Sequence, residues 1–195
     1  DPGHFDCGGR RFRDDKVGGH GMVDMYKSIV VSCDTYYYSL GNDLGIDNIS
    51  AFMRRVGLGS RTGIDLEGES AGETISVAIG QGYNAYTPLQ LAQATAALAN
   101  GGVMYRPRLV RYIENVNTGE KRFIKPEVAS NTPFKPEHLE VIKRAMAGVN
   151  IEGTGARAFA GAEYTSAGKT GTAQVIAIKA NEKYVESRVA ERHRD

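Results

Sequence analysis

The chain contains no tryptophan and only two cysteines among its 195 residues. Two cysteines cannot build a disulfide framework, although Cys7 and Cys33 could form one bridge in an oxidising compartment. No apolar run approaches the ~18 residues of a membrane span, and no secretory leader is visible. Neither sign of charge dominates: the formal net charge is +1. That balance gives no argument for nucleic acid or for an acidic surface as partner. Internal repeats and low-complexity segments are also missing. What remains is a chain long enough for one domain with a sizeable core.

One stretch near the C-terminal end organises the reading: Ala167-Gly168-Lys169-Thr170-Gly171-Thr172-Ala173-Gln174-Val175. Small residues surround one lysine and two threonine hydroxyls. Thr172, Ala173, Val175 and Ile176 suit a strand, expected over residues 166–178. Gly168 and Gly171 weaken a strand unless another backbone must come close, as when an extended peptide adds to a sheet edge. Lys169 would then supply fixed positive charge, and Thr170 and Thr172 would supply hydroxyls for a carboxylate. Read alone, the stretch is equally a buried strand with one exposed lysine.

A second stretch, Ser32-Cys33-Asp34-Thr35, lies far upstream. Serine acyl-transfer enzymes combine S-x-x-K, S-D-N and K-T-G elements. Ser32-x-Asp34 fits the middle element and Lys169-Thr170-Gly171 the last. Further segments match in order: Val30 to Tyr38, Leu44 to Asp47, Thr62 to Leu66, Ile79 to Tyr83, Thr87 to Gln90, Asn100 to Gly102 and Gly153 to Gly155. Together they resemble the transpeptidase domain of penicillin-binding protein 2, the class B, elongation-specific peptidoglycan D,D-transpeptidase of Gram-negative rods.

The resemblance departs at one decisive place. The family's nucleophile is a serine with a lysine three residues on, sharing one face of a helix so that the lysine can take the serine's proton. The one formal match here, Ser166-Ala-Gly-Lys169, falls in the expected strand, where residues three apart face opposite ways. The nucleophile segment is expected ahead of Asp1, which would make this chain part of an enzyme, inactive alone. A tryptophan-containing basic segment of the family is also missing at Ser70-Ala71. The family's closing strands and last helix are expected after Asp195.

The resemblance implies a fold and a chemistry. The fold would be α/β (α+β), the penicillin-recognising serine transpeptidase sandwich, represented mostly by its helical part with an incomplete antiparallel sheet. The reaction would cross-link stem peptides through an acyl-enzyme, and β-lactams would acylate the same serine. Ser32, Asp34 and Lys169 would be catalytic: Lys169 as fixed charge, Ser32 as proton relay, Asp34 orienting Ser32 or pairing with a lysine. Thr170, Gly171 and Thr172 would bind the substrate carboxylate, with the Thr172 N–H in the oxyanion hole. Implied partners are stem peptides, β-lactams and cell-elongation membrane proteins, with no nucleic acid. The implied location is the periplasmic side of an inner-membrane anchor that this chain lacks. Two rivals stand: a D,D-carboxypeptidase or β-lactamase-like hydrolase using water, and an inert scaffold or partner-binding fragment, favoured by the absent nucleophile.

No cofactor is needed for the chemistry, but a structural zinc ion is a candidate. Asp1, Asp14, His20 and Cys33 are a ligand set of the borderline type zinc prefers. Their positions resemble a zinc site of penicillin-binding protein 2 relatives that holds the loop against the Ser-x-Asp helix. The alternatives are a loop histidine with a buried free cysteine, or the Cys7–Cys33 disulfide.

Local patterns divide the chain. Residues 1–21 read as an irregular loop, with the candidate metal set. Residues 22–65 read as the helical Ser-x-Asp region: a helix-like stretch from Met22 to Leu40, broken near Ser32, then a helix capped at Asp47 or Asn48 and ended by Gly57. Residues 71–160 hold helices and a hairpin. Thr74 to Ile79 reads as short and extended. Thr87 caps a helix with Pro88 at its first position, running to Asn100. Arg108 to Asn115 and Lys121 to Ile124 alternate around Asn117-Thr-Gly119 as a hairpin. Glu137 to Val149 is an amphipathic helix, followed by a short one at Ala156 to Ala160.

Overall fold

A computed structural model describes residues 1–58, 78–80 and 86–171. The expectations over Thr62–Leu66, the Ser70-Ala71 junction, the Gln81-Gly-Tyr83 part of its motif, and everything from Thr172 onward lie outside these.

The first correction concerns residues 1–21, which are not wholly irregular. Strands β1 (His4–Cys7) and β2 (Arg10–Arg13) form an antiparallel hairpin with Phe5 opposite Phe12. Directly opposed residues share one face of a ladder, so both rings reach the same side. There they meet Tyr38, with ring centroids 6.4 and 5.5 Å away. Phe12 and Tyr38 are buried, and Ile79 packs against them. Two four-residue strands, one of them three-quarters arginine, joined by Gly8-Gly9 carry too little alternation to be read, and the ring cluster supplies the stability that the composition conceals.

Helix α1 (Met25–Val30) starts at Asp24, whose carboxylate accepts from the Lys27 N–H at 2.7 Å. Helix α2 (Asp34–Arg55) follows, so Ser32 does lie where one helix gives way to the next. The expected cap at Asp47 or Asn48 is corrected. Both residues sit inside α2, whose break is at Gly45 with φ 72° and ψ 159°. Glycine tolerates that geometry at little cost. Asn48 instead donates from Nδ2 to the Leu44 carbonyl. The helix ends before Gly57, as expected.

Helix α3 (Pro88–Ala99) has Thr87 and Gln90 in a reciprocal capping box, the start that Thr87-Pro88 predicts. Strands β3 (Val103–Tyr105) and β6 (Val128–Asn131) pair around a hairpin of β4 (Tyr112–Glu114) and β5 (Lys121–Phe123). The inner hairpin was legible; the outer pair, closed across more than twenty residues, was not. At Ala78 the backbone is helical rather than extended.

Helix α4 (Pro136–Ile151) packs along α1, and α5 (Ala156–Phe159) follows it. The α1–α4 contact is close because Gly148 is small. A Cβ there would lie 2.5 Å from the Tyr26 hydroxyl and 2.9 Å from Val30 Cγ2. Val30, Ala145 and Val149 are buried around this seam. Burying each valine contributes roughly 1.5–3 kcal/mol, so the seam sets where Ser32 emerges.

The expected strand over 166–178 is corrected for its described part. Residues 166–171 join no ladder. Their polar groups go to α4 instead: the Gly168 N–H donates to the Met146 carbonyl at 3.0 Å, and Asn150 Nδ2 donates to Ser166 Oγ at 2.9 Å. Among the described residues, the neighbour facing Gly168 is the Asn150 side chain. Mixed helices and short antiparallel pairs nevertheless match the expected fold class, with its sheet incomplete.

Candidate functional site

The site begins with a backbone conflict. Helices α1 and α2 meet at a three-residue corner, and Ser32 takes φ 57° there, the one described non-glycine residue in the left-handed region. That conformation costs of order 1–3 kcal/mol and must be held by its surroundings. The Cys33 N–H donates to the Ser28 carbonyl at 2.9 Å, and the Thr154 N–H donates to the Val30 carbonyl at 3.2 Å. Gly153 makes the second contact feasible, since a Cβ there would sit 2.2 Å from the Val30 oxygen. The Ser32 hydroxyl is thereby presented at the end of α1.

Lys169 meets it from the other side. Its Nζ donates to Ser32 Oγ at 2.7 Å across 137 residues of sequence, and to the Thr170 carbonyl at 2.9 Å. Burial lowers the Lys169 pKa, while the charges of Asp34 and Asp15 pull the other way. The partner carboxyl is displaced too. Burial, then the nearby charges of Asp14 and Asp15, push Asp34 up to about 6, against the opposing pull of Lys169 and His20. An exposed but partly desolvated ammonium on Ser32, with a half-buried carboxylate two residues along the chain, forms a proton-handling arrangement, and perturbed groups of this kind cluster where chemistry is done. Sequence reasoning had singled out Ser32, Asp34 and Lys169, and Ser32 and Lys169 are in direct contact.

Thr170 and Gly171 lie beside Lys169, and both are exposed. The Thr170 hydroxyl is 2.7 Å from that of Thr154. Thr172 lies outside the described residues. Thr154 and Asn150 are supporting residues that sequence reasoning did not pick. The Gly153-Thr-Gly155 motif is the signal in the sequence that points to Thr154. Asp15, whose carboxyl is raised by burial and by its contact with Asp14, is a third residue left unread.

Behind the corner the structure gathers the four residues singled out for metal. One ligand atom from each of Asp1, Asp14, His20 and Cys33 lies within 4.8 Å of all the others. His20 Nδ1 is 2.9 Å from Asp1 Oδ2 and 3.3 Å from Asp14 Oδ1. Cys33 Sγ is 3.3 Å from Asp1 Oδ2 and 3.6 Å from Asp14 Oδ2. A tetrahedron with zinc bonds of ~2.0–2.3 Å has edges of roughly 3.3–3.8 Å; three of these four separations lie in that range, and the one between His20 and Asp1 is shorter. The side chains of Asp1, Asp14 and His20 are 2%, 0% and 7% exposed. Burial alone would raise the Asp14 pKa. The Thr35 and Lys16 N–H groups and the contact with Asp15 outweigh it and hold the carboxyl below its ordinary value. Two buried carboxylates beside a thiol favour a cation.

The alternative disulfide is corrected. Both cysteines are free, and Cys7 Sγ contacts Asn42 Oδ1 at 3.6 Å, away from the Cys33 cluster. The hairpin turns Cys7 toward α2, while Cys33 faces the acidic pair.

Residues 4–190 match the family described as the penicillin binding protein transpeptidase domain, and the chain belongs to that family. A Haemophilus influenzae protein named peptidoglycan D,D-transpeptidase MrdA is 42% identical over 90% of this chain and 30% of its own length. The chain thus spans about a third of the curated relatives it matches. A crystal structure of Pseudomonas aeruginosa PBP2 in complex with WCK 5153 is similar at TM-score 0.71 and 33% identity, covering 90% of this chain and 44% of that one. Helicobacter pylori PBP2 in complex with MreC is similar at TM-score 0.70 and 30% identity, covering 89% of this chain and 35% of that one. Among the described residues no helix is long and apolar enough to cross a membrane.

Proposed function

We propose that this chain is the Lys-Thr-Gly and Ser-x-Asp part of an elongation-type peptidoglycan D,D-transpeptidase. The observation that carries the reading is the 2.7 Å contact between Lys169 Nζ and Ser32 Oγ. In an acyl transfer to a D-Ala-D-Ala peptide, the nucleophilic serine and its lysine come from outside these 195 residues. The serine oxygen attacks the scissile carbonyl, and its proton passes through Ser32 toward the leaving amine. Lys169 stabilises the anionic transition state and disfavours a second charge on a neighbouring lysine. Asp34 holds the polarity of the corner, and Thr170 and Thr172 hold the substrate carboxylate. A β-lactam enters as the same kind of acyl donor. An amine acceptor distinguishes transpeptidation from the hydrolase reading. The similarity to PBP2 structures supports a periplasmic site of action on an inner-membrane anchor, among cell-elongation membrane proteins.

Labelled penicillin tests this reading. The 195-residue chain alone should gain no covalent adduct. A version extended to include a Ser-x-x-Lys helix should gain one per molecule and transfer the acyl group to an amine. A stoichiometric adduct on the 195-residue chain, or none on the extended one, overturns it; the latter favours the inert-scaffold reading.

The donor set also supports one structural zinc ion held by Asp1, Asp14, His20 and Cys33. When bound, it would pin residues 1–21 to the first turn of α2 and so steady the Ser32 corner, without taking part in the acyl transfer. Its ligands converge only in the folded chain, so binding energy becomes folding energy. Acid should weaken binding, because the thiolate and neutral imidazole must lose protons. Metal analysis of protein purified without chelators should find one zinc per chain; finding none in protein with a native melting transition overturns the assignment.

A further inference from the structure

The described residues have a second concentration of unused chemistry, which shares no residue with the Ser32–Lys169 corner. Residues 106–127 hold six basic side chains against three glutamates, a net of +3 in a chain whose net charge is +1. The rest of the chain is therefore net negative, and the positive charge is gathered on the β4–β5 hairpin and its approaches. Arg106 pairs with Glu127 at 3.3 Å and Lys121 with Glu114 at 3.4 Å. Arg108 donates to the Ile124 carbonyl, which closes the base of the hairpin. Arg111, Arg122 and Lys125 remain exposed against Glu120.

Aromatic rings lie among these cations. Tyr112 faces Phe123 across the ladder, with centroids 5.4 Å apart, and Lys121 Nζ lies 4.9 Å from the centre of the Tyr112 ring. The rings are 41% and 60% exposed. Alternation puts Tyr112, Glu114, Lys121 and Phe123 on one face, with Ile113 and Arg122 on the other. Two strands bury neither face, and an isolated hairpin of this kind is marginal in water. A partly solvated ring pair with Lys121 beside it, exposed Arg111 and Lys125 just beyond the strand ends and Arg122 on the opposite face, is a recognition surface more than a stability device.

We infer that this hairpin is a landing site for an uncrosslinked glycan strand carrying acidic stem peptides, outside the catalytic cleft. The inference rests on the transpeptidase reading, because it makes the hairpin hold the polymer whose peptides that site would join. Charge and shape choose the occupant. Sugar rings present flat C–H faces that stack on aromatic rings, and stem-peptide carboxylates complement Arg111, Arg122 and Lys125. A lipid surface would need its apolar side chains on one face, whereas the ladder divides them, Tyr112 and Phe123 on one face and Ile113 on the other. Basic residues gathered on one projection also raise the local concentration of an anionic polymer.

The test measures binding of purified, short, uncrosslinked peptidoglycan strands to the 195-residue chain, which needs no nucleophile for this purpose. The parent should bind, more weakly as salt is raised. Reversing three exposed charges (Arg111→Glu, Arg122→Glu, Lys125→Glu) should weaken binding about tenfold. The neutral set (Arg111→Gln, Arg122→Gln, Lys125→Gln) should fall between, with an unchanged circular dichroism spectrum. Phe123→Ser should weaken binding while keeping its salt dependence. Equal binding by the parent and both charge variants overturns the inference, as does tighter binding of the parent to phosphatidylglycerol vesicles or to an acidic protein than to strands. Penicillin acylation of the extended chain is read in parallel. Its absence from the unsubstituted extended chain sinks the transpeptidase reading; its presence there with charge-independent strand binding sinks only the hairpin inference.

Discussion

The Ser32 corner and the β4–β5 hairpin are built in opposite ways. The corner is closed by bonds that cross the chain: Lys169 to Ser32, Thr154 to Val30, Asn150 to Ser166. The hairpin is closed by residues near in sequence, Tyr112 with Phe123, Glu114 with Lys121 and, at its base, Arg108 with Ile124. One region stores a strained backbone and partly desolvated charges against packed surroundings. The other leaves its rings and cations in water. A site that shifts proton affinities needs low dielectric and fixed neighbours, whereas a surface that collects a polymer needs access. Substitutions in the corner should therefore act on chemistry and on the whole fold, and substitutions in the hairpin on neither.

The sharpest break is Lys169→Ala. In a chain extended to include the nucleophile, penicillin acylation should fall about 10²–10³-fold, the scale of losing one transition-state donor. An exposed hairpin change such as Arg122→Gln should leave the acylation rate within about twofold. Acylation by Lys169→Ala at the parent rate would falsify the role given to the corner.

Gly153→Ala should come next. The new Cβ meets the Val30 carbonyl at 2.2 Å, so backbone must move. We expect a loss of about 2 kcal/mol, within the range for overpacking, read as a lower denaturation midpoint. A midpoint unchanged from the parent would show that the α1–Thr154 contact does not hold the corner.

Cys33→Ser separates the metal from the disulfide. It should abolish any zinc-induced rise in melting temperature and lower stability by about 1–3 kcal/mol, the worth of a ligand well above its Kd. Cys7→Ser should change neither. Equal effects from both, with sensitivity to reductant, would restore the disulfide.

Thr154→Val removes one hydroxyl from a 2.7 Å pair. It should slow acylation about fivefold, in line with ~1 kcal/mol for a neutral hydrogen bond. No change in rate would mean that Thr170 is positioned by its own segment. The smallest global effect is expected from Gly119→Ala. Its φ of 69° disfavours a side chain, which costs about 1 kcal/mol at the hairpin turn. Amide exchange should quicken across β4 and β5 and stay unchanged at Ser32. Faster exchange at both places would mean that the two regions are coupled.

How legible each part was follows from the range of its interactions. The capping box at Thr87, the stripe of Leu139, Ala145 and Val149, and the turn at Asn117-Thr-Gly119 are local patterns, and each appears where the pattern puts it. The β1–β2 hairpin was missed because its stability comes from Tyr38, on another element. The break in α2 was set two residues too late, because Asp47 and Asn48 are good caps and Gly45 is a better place to bend. The segment before Thr172 was read as a strand from its side chains, yet its backbone groups bond to α4.

Sequence by itself determined which residues could do chemistry here: a lysine between threonine and small residues, a serine two positions before an aspartate, and four ligands of one chemical type. Their order along the chain was enough to assign the family. Whether those groups meet was decided by the tertiary structure. Contact between Ser32 and Lys169 depends on how closely α1 approaches α4 at Gly148, on the left-handed turn at Ser32, and on the room that Gly153 leaves for Val30. The displaced proton affinities of Asp34 and Lys169 have the same origin. A side chain's charge is written in the sequence, but its desolvation and its neighbours exist only once distant segments have packed around it.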